Sequence, residues 1–266
     1  MRLLYGVGRG EEQAHLPAPH ISWPRGRPVP TCDPWIALAA MAVGTSRVRL
    51  GTSVTPLNRR RPWKVAREAV ALDQLSNGRF ILGVGSGDAN EAGFSRVNEV
   101  RDAKERARIL DEALDVILGL WSGEPYSYQG HYFQVHEMTF LPKPVQQPRI
   151  PILVGGGWPL KGPALRAARY DGCCLYKQHG LGDFNDWTPD EVRTLKAFME
   201  RHRSDQQREM PYEIKLGGRS RSERLGAGSR VDEVAGRSWS HLVGRVCACR
   251  RRGSDARKCA AGIIAD

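Results

Sequence analysis

The sequence has no apolar run near the roughly 18 residues that a membrane-spanning helix requires, which excludes a protein that crosses a bilayer by such helices. Its first 13 residues, MRLLYGVGRGEEQ, contain a short apolar stretch without a small-residue cleavage site. A secretory signal peptide is therefore not expected. These two absences predict a cytoplasmic protein.

A paired cysteine framework is also missing. Among the six cysteines, Cys173 and Cys174 are adjacent, and Cys247, Cys249 and Cys259 lack the Cys-x-x-Cys pairs of a zinc site. We therefore expect free thiols in a reducing compartment and no metal site.

The net charge of +11 belongs mostly to one end of the chain. Residues 217–266 carry ten Arg and one Lys against five acidic residues, whereas residues 31–216 carry 25 basic and 22 acidic side chains. Neither interleaved aromatic residues nor a known nucleic-acid motif accompanies this excess. Nucleic-acid binding is therefore not expected.

The glycine-rich segment GVGSGD lacks one residue of the dinucleotide-binding fingerprint. A G-x-G-x-x-G motif that starts at Gly83 needs glycine at position 88, where the chain has Asp88. The next helical pattern also begins well downstream of this turn. Both points disfavour a Rossmann dehydrogenase.

What the sequence does contain is an alternation of helical and strand patterns. Asp33-Pro34 predicts a helix start, and Asn77-Gly78 predicts the end of a second helix that begins at Pro62. Further helices are predicted over 106–121, 160–170 and about 189–203. The strand-like segments are Arg47–Thr55, Arg79–Gly85, Ile152–Gly157, Gly172–Lys177 and Tyr212–Gly218. Five strands between helices predict a parallel α/β sheet, and alternation alone leaves a barrel or an open sheet. The stretch Ser122–Arg149 is predicted to be irregular.

Three clusters of small or polar residues follow three of these strands: Gly51–Pro56, Gly83–Asp88 and Gly155–Gly157. In parallel α/β folds, ligands bind at the carboxyl ends of the strands. Glycine at these ends lets a flat ring or a phosphate approach backbone N–H groups. A tight strand-to-helix turn would explain any one cluster, but three at equivalent positions predict a ligand site.

At these residues the sequence resembles the luciferase-like monooxygenase family. The segments are RVRLGTSVTPLNRRRPWKVAREAVALDQLSNGRFILGVGSGD, ILDEALDVILGLWSGEPYSYQGHYFQV and LPKPVQQPRIPILVGGG. The resemblance covers about 190 residues. It implies a (β/α)8 TIM-type barrel that uses FMN or the deazaflavin coenzyme F420. It also implies hydride transfer or oxygen insertion on a small organic substrate, and it leaves a homodimer open.

The resemblance also implies site residues. Thr52, Ser53 and Val54 match a motif in which a non-proline cis peptide, here Ser53–Val54, lies behind the central ring of the cofactor. Gly85, Ser86 and Gly87 would line the cofactor, and Asp88 matches an acid that takes part in proton transfer. Gly155, Gly156 and Gly157 match the loop near the cofactor's phosphate-bearing tail. His20 lies where the family carries a histidine, which makes it a second candidate acid or base.

The ends of the chain depart from the family pattern. Strands three to seven of the barrel are recognisable, but the second and eighth are not, so we expect an incomplete or distorted barrel. Residues 1–30 are interpreted as an atypical segment, residues 31–217 as the barrel core, and residues 218–266 as a basic, poorly ordered tail. Two functions remain open: a flavin- or deazaflavin-dependent oxidoreductase, and a catalytically inert, truncated homologue.

Overall fold

The computed structural model describes residues 33–90, 92–177 and 187–216, without the side chains of residues 92 and 93. These residues fall in one compact unit. Their helices are α1 Pro34–Gly44, α2 Pro62–Leu75, α3 Ala92–Ser95, α4 Ala103–Trp121, α5 Lys161–Ala167, α6 Pro189–His202 and α7 Asp205–Arg208. Their strands are β1 Leu50–Gly51, β2 Thr55–Pro56, β3 Phe80–Gly85, β4 Tyr126–Gln129, β5 Gln134–Met138, β6 Ile152–Trp158, β7 Gly172–Lys177 and β8 Glu213–Ile214. The predicted boundaries at residues 30 and 217 lie outside the described residues and stay predictions.

The start of α1 and the end of α2 lie where the sequence predicted them. Asp33 caps α1 by accepting hydrogen bonds from the backbone N–H groups of Trp35 and Ile36. After α2, Asn77 and Gly78 both have positive φ values, 51° and 75°, and the Gly78 N–H bonds to the Asp73 carbonyl. Such a left-handed pair ends a helix and turns the chain directly into β3.

The main sheet is parallel, in the order β1–β3–β6–β7–β8, with β2 also paired to β3. This order confirms the predicted α/β class and all five predicted strands. An ion pair of 2.8 Å joins Arg49, beside β1, to Glu213 of β8, so the two outer strands of the described sheet approach each other. The sheet is therefore curled into a half-barrel.

The first predicted strand, Arg47–Thr55, is observed as two pieces because it contains one extra residue. Leu50 and Gly51 pair with Phe80 and Ile81, whereas Thr55 and Pro56 pair with Val84 and Gly85. Four steps along the first strand thus match three along β3, which is a bulge. The Ser53–Val54 peptide within it is cis, which confirms the predicted bond.

The face of the sheet that carries the helices forms the hydrophobic core. Alternate residues of each strand point to it, namely Leu50, Phe80, Leu82, Val84, Ile152, Val154, Cys173 and Leu175. They pack against apolar residues of α1, α2, α4, α5 and α6. The residues that alternate with these along the strands therefore lie on the opposite, concave face.

The prediction of an irregular stretch over Ser122–Arg149 is wrong in part, because β4 and β5 form an antiparallel hairpin there. Its turn is held by Glu112 of α4, whose carboxylate accepts hydrogen bonds from the N–H groups of His131, Tyr132 and Phe133 at 2.8–3.2 Å. The hairpin thus depends on a contact with a residue about 20 positions earlier in the chain.

A buried carboxylate fixes the extended segment that leads into β6. Asp73 is fully buried, and it accepts hydrogen bonds from the backbone N–H groups of Val145 and Gln146 on one oxygen and from Gln146 Nε2 on the other. Ionised acceptors make the stronger hydrogen bonds of proteins. The Asp73 carboxylate therefore connects α2 to the segment before β6.

We expect Asp73→Asn to lower the free energy of unfolding by about 2 kcal/mol, because an amide offers only one acceptor oxygen to donors that occupy both. Chemical denaturation measures this change. Asp102→Asn is the control, since Asp102 caps α4 at an exposed site where asparagine caps equally well. Equal stability of the two variants would contradict the assignment.

Candidate active site

The bulge brings three of the predicted cofactor-binding residues around a single side chain. A Cβ placed on Gly85 would lie 2.7 Å from Val54 Cγ2, and a Cβ placed on Gly155 would lie 2.6 Å from Val54 Cγ1. Real Cβ atoms do not approach other atoms this closely. Val54 therefore lies over β3 and β6, and the two glycines are required by its position.

The concave side of the half-barrel, which we call the inner face, is rich in glycine. Half of its twelve strand positions are glycine, namely Gly51, Gly83, Gly85, Gly155, Gly157 and Gly172; the other six are Pro56, Ile81, Leu153, Cys174, Tyr176 and Glu213. Glycine is otherwise unfavourable within strands, where it costs conformational entropy and packs poorly. At five of these glycines, namely Gly51, Gly83, Gly85, Gly155 and Gly172, an added Cβ would lie within 3 Å of another atom of the chain, so packing requires them.

Two of the predicted cofactor residues have other contacts. The Thr52 hydroxyl donates to the Gly83 carbonyl at 2.6 Å and accepts from the Gly83 N–H at 3.1 Å, so it fills the gap in the ladder at the bulge. Gly156 lies on the helix-bearing face, where an added Cβ would be 2.4 Å from Pro163 Cβ of α5. Packing accounts for both residues, and their role toward a cofactor stays a prediction.

Ser86, Gly87 and Asp88 form the turn that follows β3, which we call the Asp88 turn. Gly87 has a φ of 67°, and a Cβ there would also lie 2.5 Å from the Phe94 ring. Asp88 is half-buried, and its Oδ1 accepts hydrogen bonds from the backbone N–H and side-chain Nδ2 of Asn90 at 3.0 and 3.2 Å. Asp88 thus holds its own turn through one oxygen.

Two residues that sequence reasoning missed, Cys174 and Tyr176, project from β7 onto the inner face. Burial raises the pKa of Tyr176, the negative charge of Asp88 raises it further, and Arg106 opposes both. Burial also raises the pKa of Cys174 to about 12, against the effects of Lys215 and Ser53. At neutral pH the site therefore displays a neutral phenol beside Asp88 and a neutral thiol beside Ser53. Because successive side chains of a strand point to opposite faces, the predicted strand Gly172–Lys177 already placed Cys174 and Tyr176 on one face.

The remaining predictions fall elsewhere. His20, the second candidate acid or base, lies outside the described residues. Among the residues that the structure describes, no three His, Cys, Asp or Glu side chains lie close enough to hold a metal ion. In the same part of the chain, none of the helices is both long and apolar enough to cross a membrane.

A curled parallel sheet with helices on its convex face is the arrangement of α/β-barrel proteins, a class in which ligand sites lie at the carboxyl ends of the strands. The model of the luciferase-like monooxygenase family matches residues 6–210. The chain belongs to that family, which confirms both the resemblance and the barrel type of its fold.

Individual relatives agree with this assignment. The F420-dependent glucose-6-phosphate dehydrogenase of Microbacterium testaceum is 38% identical over 136 residues, which are 50% of this chain and 39% of that protein. The monooxygenase RslO1 of Streptomyces bottropensis superposes with a TM-score of 0.56 at 24% identity, over 80% of this chain and 63% of RslO1. The oxygenating component of 3,6-diketocamphane monooxygenase from Pseudomonas putida, solved with FMN, gives a TM-score of 0.53 at 18% identity, over 68% of this chain and 51% of that chain. The chain spans about half the length of the curated relatives it matches.

Proposed function

We propose that this chain binds FMN or coenzyme F420 against its inner face and catalyses a two-electron oxidation or reduction of a small organic substrate. The observation that carries the proposal is the glycine-rich inner face, on which Val54 lies against Gly85 and Gly155. We expect a flat tricyclic ring to lie against strands that carry so few side chains. Relatives that use F420 and FMN, as their names state, support the same two cofactors.

The protein would supply binding, orientation and proton transfer, while a bound flavin or deazaflavin supplies the two-electron chemistry. Asp88 is the described residue best placed to hold or move a proton, because it lies half-buried at the end of β3 beside the inner face. Tyr176, as a neutral phenol on that face, can donate a hydrogen bond to a bound group. His20 is retained as a further candidate acid or base.

The test is a fluorescence titration of the purified full-length chain with FMN and with F420, followed by turnover measurements. F420 reduction is followed with glucose 6-phosphate and a panel of small alcohols as donors, and oxygen consumption is followed with reduced FMN. Binding of one cofactor at a concentration 100 times its Kd would stabilise the fold by about 2.7 kcal/mol in a thermal-shift experiment.

The rival function is a catalytically inert homologue of the same family. It predicts that neither cofactor binds and that no turnover occurs. Binding without turnover on any substrate of the panel would support a cofactor-binding protein whose substrate lies outside that panel.

A further inference from the structure

Arg106, in the first turn of α4, is a buried cation beside the candidate active site. Its side chain belongs to a residue that is only 7% exposed, and within the described part of the chain it forms no ion pair with a carboxylate. Its Nη1 instead donates to the backbone carbonyls of Ser86 and Gly87, at 3.0 and 2.8 Å. Its Nε–H is buried without a hydrogen-bond partner among the described residues. A buried, incompletely paired charge of this kind lowers the stability of the fold. Its presence therefore indicates a role other than stability.

The contacts around Arg106 all converge on the Asp88 turn. The Arg106 guanidinium lies 5.5 Å from the centre of the Phe94 ring, and that ring covers Gly87, whose position allows no Cβ. Arg59, from the 3-10 turn Leu57–Arg59 after β2, lies over the same ring at 4.9 Å. Helix α4 is itself anchored, since Asp111 accepts two hydrogen bonds of 2.7 Å from Arg166 of α5. Arg106 therefore connects a fixed helix to the one turn that carries the candidate acid.

We propose that Arg106 is a positioning residue, which holds the Asp88 turn through the Ser86 and Gly87 carbonyls in the conformation that receives the cofactor. The proposal rests on the proposed function. If Arg106 served stability, its replacement would lower the melting temperature. Replacing a buried, incompletely paired cation by an apolar side chain of similar length is, however, often neutral or stabilising. The effect of such a change should therefore appear in the turn and in cofactor binding rather than in the melting temperature.

The variants are Arg106→Met, Arg106→Lys and Gly87→Ala, with Arg108→Met as the control because Arg108 is exposed two positions further along α4. Hydrogen exchange on the cofactor-free chain should be faster for Arg106→Met in the peptide that contains residues 85–95, and unchanged for the control. Arg106→Met should weaken binding of FMN or F420, whichever the native chain binds, by about tenfold, or 1.4 kcal/mol. Arg106→Lys, which keeps the charge but not the planar fork, should restore part of the affinity.

The double variant Arg106→Met/Gly87→Ala should bind the cofactor about as tightly as the weaker-binding single variant. The two losses should not add, because both changes act on the same turn. Additive losses would show that Arg106 acts elsewhere and would overturn the proposal. Unchanged exchange and affinity in Arg106→Met, with native binding intact, would also overturn it and leave the proposed function standing. If the native chain binds neither cofactor, the proposed function and this inference both fail.

Discussion

Replacing Asp88 by asparagine is expected to reduce turnover by about 100-fold or more while leaving cofactor affinity and stability close to those of the native chain. The asparagine oxygen can still accept the hydrogen bonds from Asn90 that Asp88 Oδ1 accepts now, so the turn is retained. What is lost is the ability to take up and release a proton. Turnover with the cofactor that the native chain binds measures the effect.

Asp88→Ala is the matched variant, because it removes both the proton-transfer group and the turn contact. It should lose as much turnover as Asp88→Asn and, in addition, show a lower melting temperature and weaker cofactor binding. If Asp88→Asn keeps full turnover while Asp88→Ala loses it, then Asp88 acts only as a turn residue. The acid or base would then have to be sought among other residues, of which His20 is the one that the sequence indicates.

Features set by neighbouring residues in the chain could be predicted from the sequence. The start of α1 and the end of α2 depend on side chains and φ values within a few residues, at Asp33 and at Asn77–Gly78. The order of strands and helices follows from periodicity. The cis Ser53–Val54 bond was predicted by resemblance to a family, since nothing in the local sequence alone requires it.

Features that depend on contacts between distant segments could not be predicted. The β4–β5 hairpin is held by hydrogen bonds to Glu112 of α4. Nothing in the sequence of the hairpin indicates that this residue is its partner. Arg106 lies in a pattern that is typical of an exposed helix start, and only the fold shows that it reaches the Ser86 and Gly87 carbonyls. Tyr176 interacts with Asp88, in the turn after β3, and with Arg106 of α4, which precede it by 70 or more positions.

The roles of Gly155, Gly156 and Gly157 also depend on contacts with distant segments of the chain. Sequence reasoning treated Gly155, Gly156 and Gly157 as one cluster with one purpose. In the structure, Gly156 is required by Pro163 of α5 on the helix-bearing face, whereas Gly155 is required by Val54 on the inner face. Adjacent residues of a strand point to opposite faces, so a run of glycines serves two surfaces at once. An experiment on the site must therefore separate packing from ligand contact.

Gly155→Ala should lower the free energy of unfolding by about 3 kcal/mol, because its Cβ would lie 2.6 Å from Val54 Cγ1 and 3.3 Å from Cys174 Sγ. It should also weaken cofactor binding by about 100-fold. Gly162→Ala is the control, since a Cβ at that position in α5 meets no atom within 4 Å. Denaturant unfolding and fluorescence titration give the two quantities for each variant.

Adding Val54→Ala to Gly155→Ala removes the methyl group that collides, so most of the lost stability should return. The affinity decides between the two roles of Gly155. If the cofactor ring lies against this part of the inner face, the new methyl group still occupies its place, and binding stays weak in the restored fold. If stability and affinity return together, Gly155 serves only to accommodate Val54, and the cofactor must lie against another part of the inner face.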